Sequence, residues 1–118
     1  MIILTVDRNR KREITAFKLT GHAGSGPYGY DLVCAAVSAV SFGALNAVES
    51  LTGTRMKVCQ AEQGGFLECT CPEDAAEDVR NKTQLILEAM LVSMKTIETS
   101  YGDYIKIHDE GGAGHAET

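Results

Sequence analysis

The chain has 118 residues, 44% hydrophobic and 23% charged, which suits one compact domain and is too short for two ordinary ones. Folding at this size removes roughly 65–70% of the unfolded chain's surface from water, so a core forms without metal or disulfide staples; disorder, coiled coil and collagen are poor fits. There are 11 Lys and Arg against 16 Asp and Glu, a net charge of -5 and a pI of 5.1; the chain lacks the global positive field that holds a phosphate backbone, and no direct nucleic-acid contact is expected.

Residues 1–6 alternate as a strand does, and residues 13–20 repeat the pattern with Ile14, Phe17 and Leu19 as the apolar side chains. The intervening tip, 7–12, carries Arg8, Arg10, Lys11 and Arg12. It reads as a solvated turn, or else as a basic contact for an acidic partner. No basic leader or cleavage site accompanies this start, which argues against export. The longest apolar stretch, 32–51, is interrupted by Ser38, Ser41, Asn46 and Glu49 and makes a poor membrane span. The expected setting is a reducing cytoplasm with free thiols and no membrane contact.

Gly21, Gly24, Gly26, Gly29 and Pro27 take the chain out of regular structure over 21–30. A helix then begins behind Asp31 as N-cap, with Val33, Val37, Val40, Ala44, Val48 and Leu51 as one apolar stripe. Ala35, Ala39, Phe42 and Leu45 leave much of its remaining circumference apolar, so more than a single sheet must cover it: a second helix or another subunit. Residues 54–61 and 65–71 read as a second hairpin around Gln63, Gly64 and Gly65, ended by Pro72. Glu73, Asp74, Glu77 and Asp78 put negative charge at the start of a second long helix, whose buried face runs through Val79, Thr83, Ile86, Met90, Met94, Ile97 and Tyr101. Gly102 stops it, 104–108 form a last strand, and 110–118 read as a flexible tail. The expected architecture is one α+β domain over 1–109, a small two-layer or sandwich fold of order β-β-α-β-β-α-β. Its two long helices lie on a mainly antiparallel sheet.

One stretch carries chemistry. With Asp31 as cap, Cys34 occupies the third helical position, where unpaired N–H groups and the positive dipole end favour a thiolate. His22 closes the preceding strand, and the glycine-rich loop is long enough to bring its ring back toward Cys34. A helix start and a nearby imidazole are two devices that activate a cysteine nucleophile. N–H groups of Val33 and Cys34 are candidate oxyanion donors. Asp31 is either a cap or an orienting carboxylate for His22. Ser38, one turn from Cys34, lines the pocket or satisfies a backbone carbonyl. Against this stands the plainer reading of Cys34 as a small core residue. Cys59, Cys69 and Cys71 are taken as core packing rather than a zinc site, because the C-x-C spacing is short and no histidine stands by as fourth ligand. His108 and His115 are not persuasive ligands or bases, and neither metal nor cofactor is expected.

The run GHAGSGPYGYDLVCAAVSAVSFGALNAVE resembles the signature of the Prp family of small ribosomal-processing cysteine proteases, most specifically in GHA and DLVCAAVSA. The resemblance extends over the whole ordered chain. It implies a catalytic dyad of His22 and Cys34, with Asp31 at the family's aspartate three residues before the cysteine, and a small α+β sandwich assembled as a homodimer. It further implies that the substrate is the precursor of large-subunit ribosomal protein number twenty-seven, cut after an apolar, Phe-containing extension. Gly21, Gly24, Gly29 and Ser38 are the expected substrate-binding positions, with 24–29 as a cover over the peptide. Two alternatives from other classes are a non-catalytic ribosome-associated binding module and a thiol redox sensor.

Overall fold

A computed structural model of the chain describes residues 1–22 and 31–109. The elements follow the expected order: β1 (Ile2–Arg8), β2 (Ile14–Thr20), α1 (Leu32–Thr52), β3 (Lys57–Gln60), β4 (Phe66–Thr70), α2 (Glu77–Tyr101) and β5 (Ile105–Asp109). The strands form one sheet in the order β3-β4-β2-β1-β5, antiparallel at every pairing except β1 with β5. The parallel pair joins the first and last strands of the chain, while the two tight hairpins make antiparallel pairs.

One face of the sheet is apolar and covered. Ile2, Leu4 and Val6 of β1 are buried while Ile3 and Asp7 are exposed, the period-two pattern of a strand with one wet side. Phe17 and Leu19 of β2, Leu67 and Cys69 of β4 and Ile105 of β5 join them. Val33, Val37 and Val48 of α1 and Leu87, Met90 and Met94 of α2 complete the core. The methionines are therefore packing residues. By length and composition alone α1 would serve as a membrane span, yet its buried stripe lies in this core.

Asp31 caps α1, and Gly53 ends it in the left-handed conformation with its N–H on the Glu49 carbonyl. The buried stripe contains Ser41 and not Leu51, which is 64% exposed. Ser41 is tolerated because its hydroxyl donates to the Val37 carbonyl at 2.8 Å, within its own helix. On α2, Leu87 and Leu91 are buried, whereas Tyr101 is exposed; the helix begins at Glu77, so Glu73 and Asp74 precede it.

The basic tip is shorter than the sequence suggests, because β1 runs on to Arg8. Arg8 is not solvated. Its Nε donates to Asp109 Oδ1 at 2.9 Å, its Nη2 to Glu88 Oε1 at 3.0 Å, and its Nη1 to the Arg12 carbonyl at 2.7 Å. One guanidinium thus ties β1 to α2, to the end of β5 and to the turn, with both carboxylates holding its pKa above the ordinary value. The strand register shifts between Asp7 and Arg8. Beside that bulge the Gln84 amide accepts from the Ile14 N–H and donates to the Ile14 carbonyl, both at 2.7 Å, meeting the backbone's hydrogen-bonding demand from α2.

The two sheet edges differ. At β5 the Ile107 N–H donates to Glu98 of α2 at 2.9 Å, so a side chain covers that edge. All four residues of β3 are exposed. Val58 and Gln60 lie opposite Cys69 and Leu67, on the core side of the sheet, yet Val58 is 44% exposed. The core-facing side of β3 is thus left open next to α1.

Candidate active site

The site gathers at the end of the sheet where β2 stops, α1 starts and the β3–β4 hairpin turns. Gly21 leaves β2 at φ +87, and a Cβ there would lie 2.2 Å from the Met1 carbonyl oxygen. Only glycine fits at this point, which lets the chain bend so that the next residue, His22, stands exposed at the sheet's end. On α1 the Asp31 carboxylate accepts from the Cys34 N–H at 3.0 Å, the hydrogen bond of an N-cap to the third helical residue. Cys34 is half-buried on the first turn.

His22 and Cys34 line the same cavity, about 280 Å³ in volume, together with Gly21, Val37 and Ser38. The structure thus brings together the two residues that the sequence separates by a glycine-rich loop. Gly24 and Gly29, and the proposed cover at 24–29, lie outside the described residues, as do His115 and the 110–118 tail. Asp31 acts as the cap. Its carboxylate engages the N–H of Cys34, one of the two amides read as candidate oxyanion donors.

Several lining residues were not singled out from sequence. Gln60, Ala61, Gly64 and Gly65 come from the β3–β4 hairpin, and Phe42 from α1. The pairing of Thr20 with Phe66 sets the turn beside Gly21, whose N–H donates to the Gly65 carbonyl at 2.8 Å. The Gly64-Gly65 pair was legible as a turn, but its place over His22 depends on that long-range pairing. A second cavity of about 190 Å³ runs on between α1 and β3, sharing Phe42 and Gln60 with the first and ending at Glu49 and Arg55. From Cys34 to Glu49 the helix rises about 22 Å, the length of some six or seven extended residues. The floor of the outer half is apolar: Phe42, Leu45, Met56 and Val58.

The other cysteines divide. Cys69 is buried and its thiol is pushed up to about 12, first by burial and then by Cys71 and Glu68. Burial, with Glu13 adding to it, pushes Cys71 up to about 11, and its Sγ lies 3.4 Å from the Ile14 carbonyl oxygen. Both are protonated packing thiols at neutral pH. Cys59 is not a packing residue. It pairs with Glu68 on the outer side of the sheet and is exposed, because neighbouring strand residues point to opposite faces. Among the described residues no group of three or more His, Cys, Asp or Glu side chains is placed to hold a metal ion.

Comparison with known proteins adds the family context. The family model described as cysteine protease Prp matches residues 1–106. The ribosomal processing cysteine protease Prp of Bacillus subtilis (strain 168) is 42% identical over 107 residues, covering 91% of this chain and 96% of that protein. Among solved structures, an essential ribosomal processing protease Prp from S. aureus, in complex with a covalently linked product peptide, superposes with a TM-score of 0.85 at 35% identity, covering 93% of this chain and all of the other. A second structure of that protease, in complex with a substrate peptide, gives a TM-score of 0.78 over the same shares at 35% identity.

Proposed function

This chain belongs to the Prp family of cysteine proteases, and on that footing we propose that Cys34 and His22 are its nucleophile and base. The observation that carries the reading is their place in one cavity, the thiol on a capped helix start and the imidazole at the end of β2. His22 takes the Cys34 proton and the thiolate sulfur bonds to the scissile carbonyl carbon. The C–N bond then breaks, the leaving amine takes the proton back from His22, and a thioester remains. Water, deprotonated by His22, attacks that thioester and releases the acid and the free thiol.

The substrate we assign is the precursor of large-subunit ribosomal protein number twenty-seven, losing a short N-terminal extension in the cytoplasm, where thiols stay reduced. Two features support a basic ribosomal substrate with an apolar extension. The chain's net charge of -5 attracts a basic protein. The groove along α1 offers an apolar floor to an extended peptide next to Cys34. We take the active species as a homodimer, supported by the apolar side chains that α1 exposes outside the groove at Leu32 and Leu51. No cofactor enters this chemistry.

The test is cleavage of a synthetic peptide spanning the extension and the first residues of the mature protein. The wild-type chain cuts it, and Cys34→Ala and His22→Ala abolish the cut while retaining the circular dichroism of the fold. Cleavage retained by Cys34→Ala overturns the assignment. Binding without cleavage by the wild type favours the ribosome-associated module. Cys34 oxidation without cleavage favours the redox sensor.

A further inference from the structure

Resting on the assignment of His22 as the base, we propose that Gly65, in the turn between β3 and β4, is a positioning residue that sets the His22 imidazole through the absence of a side chain. A histidine ring at the exposed end of a strand is poorly restrained, because its second side-chain torsion is broad. A general base must nevertheless stand within about 2.6–3.2 Å of the proton it moves, and a misplacement of about 1 Å costs on the order of 100-fold in rate. Something has to hold the ring.

The turn supplies the wall. A Cβ on Gly65 would stand 3.0 Å from His22 Nε2, 3.6 Å from Cδ2 and 3.7 Å from Cε1, so the ring rests its Nε2 edge against a bare Cα. At 3.0 Å the neighbour must give by a few tenths of an ångström, and the neighbour here is the imidazole itself. Gly64 next to it is a looser contact, its Cβ position 3.7 Å from Cε1. The wall is also tied to the residue it positions, because the Gly65 carbonyl accepts from the N–H of Gly21, the residue before His22. Strand end and turn are therefore hydrogen-bonded to each other at the residue before the ring.

Backbone strain must be separated from displacement of the ring, and the fold contains its own controls. Gly65, Gly64 and Gly53 have φ of +79, +80 and +72, so alanine is strained to a similar degree at all three. At Gly53 nothing lies within 4 Å of the Cβ position, and Gly53 stands at the opposite end of α1 from Cys34. Gly65→Ala is expected to lower kcat for the extension peptide 10- to 100-fold with KM changed less than twofold, and to shift the His22 titration midpoint followed by NMR at the ring Cε1–H. Gly64→Ala loses less of kcat than Gly65→Ala, and Gly53→Ala lowers only the urea midpoint. Should Gly65→Ala fail to fold, Gly65→Asn carries the same Cβ in a residue that tolerates positive φ, and the NMR titration in a Cys34→Ala background needs no activity.

Equal losses in Gly65→Ala and Gly64→Ala, or an unmoved His22 titration in a folded Gly65 variant, overturn the proposal. If the wild type cuts no peptide, the protease reading fails instead, and the NMR titration still decides whether Gly65 places the ring.

Discussion

The Cys34 amide donates to the Asp31 carboxylate at 3.0 Å, so the residue that caps α1 is bonded to the residue that carries the thiol. Helix start and nucleophile are therefore one unit, and a change at Asp31 acts on both. Asp31→Ala is expected to cost about 1 kcal/mol of stability, the usual worth of an N-cap. Asn caps almost as well as Asp, so Asp31→Asn keeps the urea midpoint and at least half of the cleavage rate. A large loss of kcat in Asp31→Asn at unchanged stability would show that the charge has a second role, orienting His22.

Phe42 bridges the two cavities that make up the groove along α1, and it is 41% exposed there. Phenylalanine is worth about 2–3 kcal/mol when its whole side chain leaves water, so covering the exposed two-fifths of Phe42 with an apolar peptide side chain is worth about 1 kcal/mol. Phe42→Ala should raise KM roughly three- to fivefold with kcat nearly unchanged, the signature of lost uniform binding. An unaltered KM takes Phe42 out of the substrate groove. Sedimentation of the same variant shows whether Phe42 serves subunit contact instead.

Arg8 holds three parts of the fold together from a side chain only 10% exposed. Asp109, its partner, is 13% exposed, so removing the guanidinium takes a counter-charge away from a largely buried carboxylate. Arg8→Met is expected to lower stability by about 3 kcal/mol, read from urea unfolding. The double change Arg8→Met with Asp109→Leu recovers part of that loss, since an apolar pair of similar volume needs no counter-charge.

The thiols of Cys69 and Cys71 titrate higher in the folded chain, at about 12 and about 11, than in the unfolded chain, where the ordinary value is 9.0. Between these limits the unfolded state has lost protons that the folded state keeps, so stability falls as pH rises. Their contribution is complete below about pH 9 and declines through about pH 12. The urea midpoint should drop over that window, and Cys69→Ala should flatten the slope even though it lowers stability at pH 7. A slope unchanged in Cys69→Ala would contradict a buried, protonated thiol.

Much of the site was readable from neighbours in the chain. Asp31 as cap and Cys34 on the first turn follow from a polar residue placed before an apolar helical period, and the glycine next to His22 marks where β2 must break. The hairpin turn at Gly64-Gly65 was equally plain. Its service to His22 was not, because that contact exists only once β4 pairs with β2 in the register that sets Phe66 opposite Thr20. Phe42 was seen as excess apolar surface, and the edge strand β3 makes it the wall of a groove.

By itself the sequence determined the order of elements, the two hairpins and the capped helix with Cys34 on its first turn, and the resemblance to the Prp family pointed to His22 and Cys34 as a pair. The elements and the cap are encoded by local periodicity, by turn residues or by a polar residue before an apolar period, within one element or the loop that follows it. Tertiary structure decided what Arg8, Cys59, Ser41 and Gly65 do. Arg8 reaches Asp109 across 101 residues of chain, Cys59 faces solvent while Cys69 is buried, and Ser41 takes a core position that the apolar stripe omitted. The physical reason is the same in each case. Which face a side chain presents turns on strand order, register and helix rotation against the sheet, and a shift of one residue reverses the face of a whole strand.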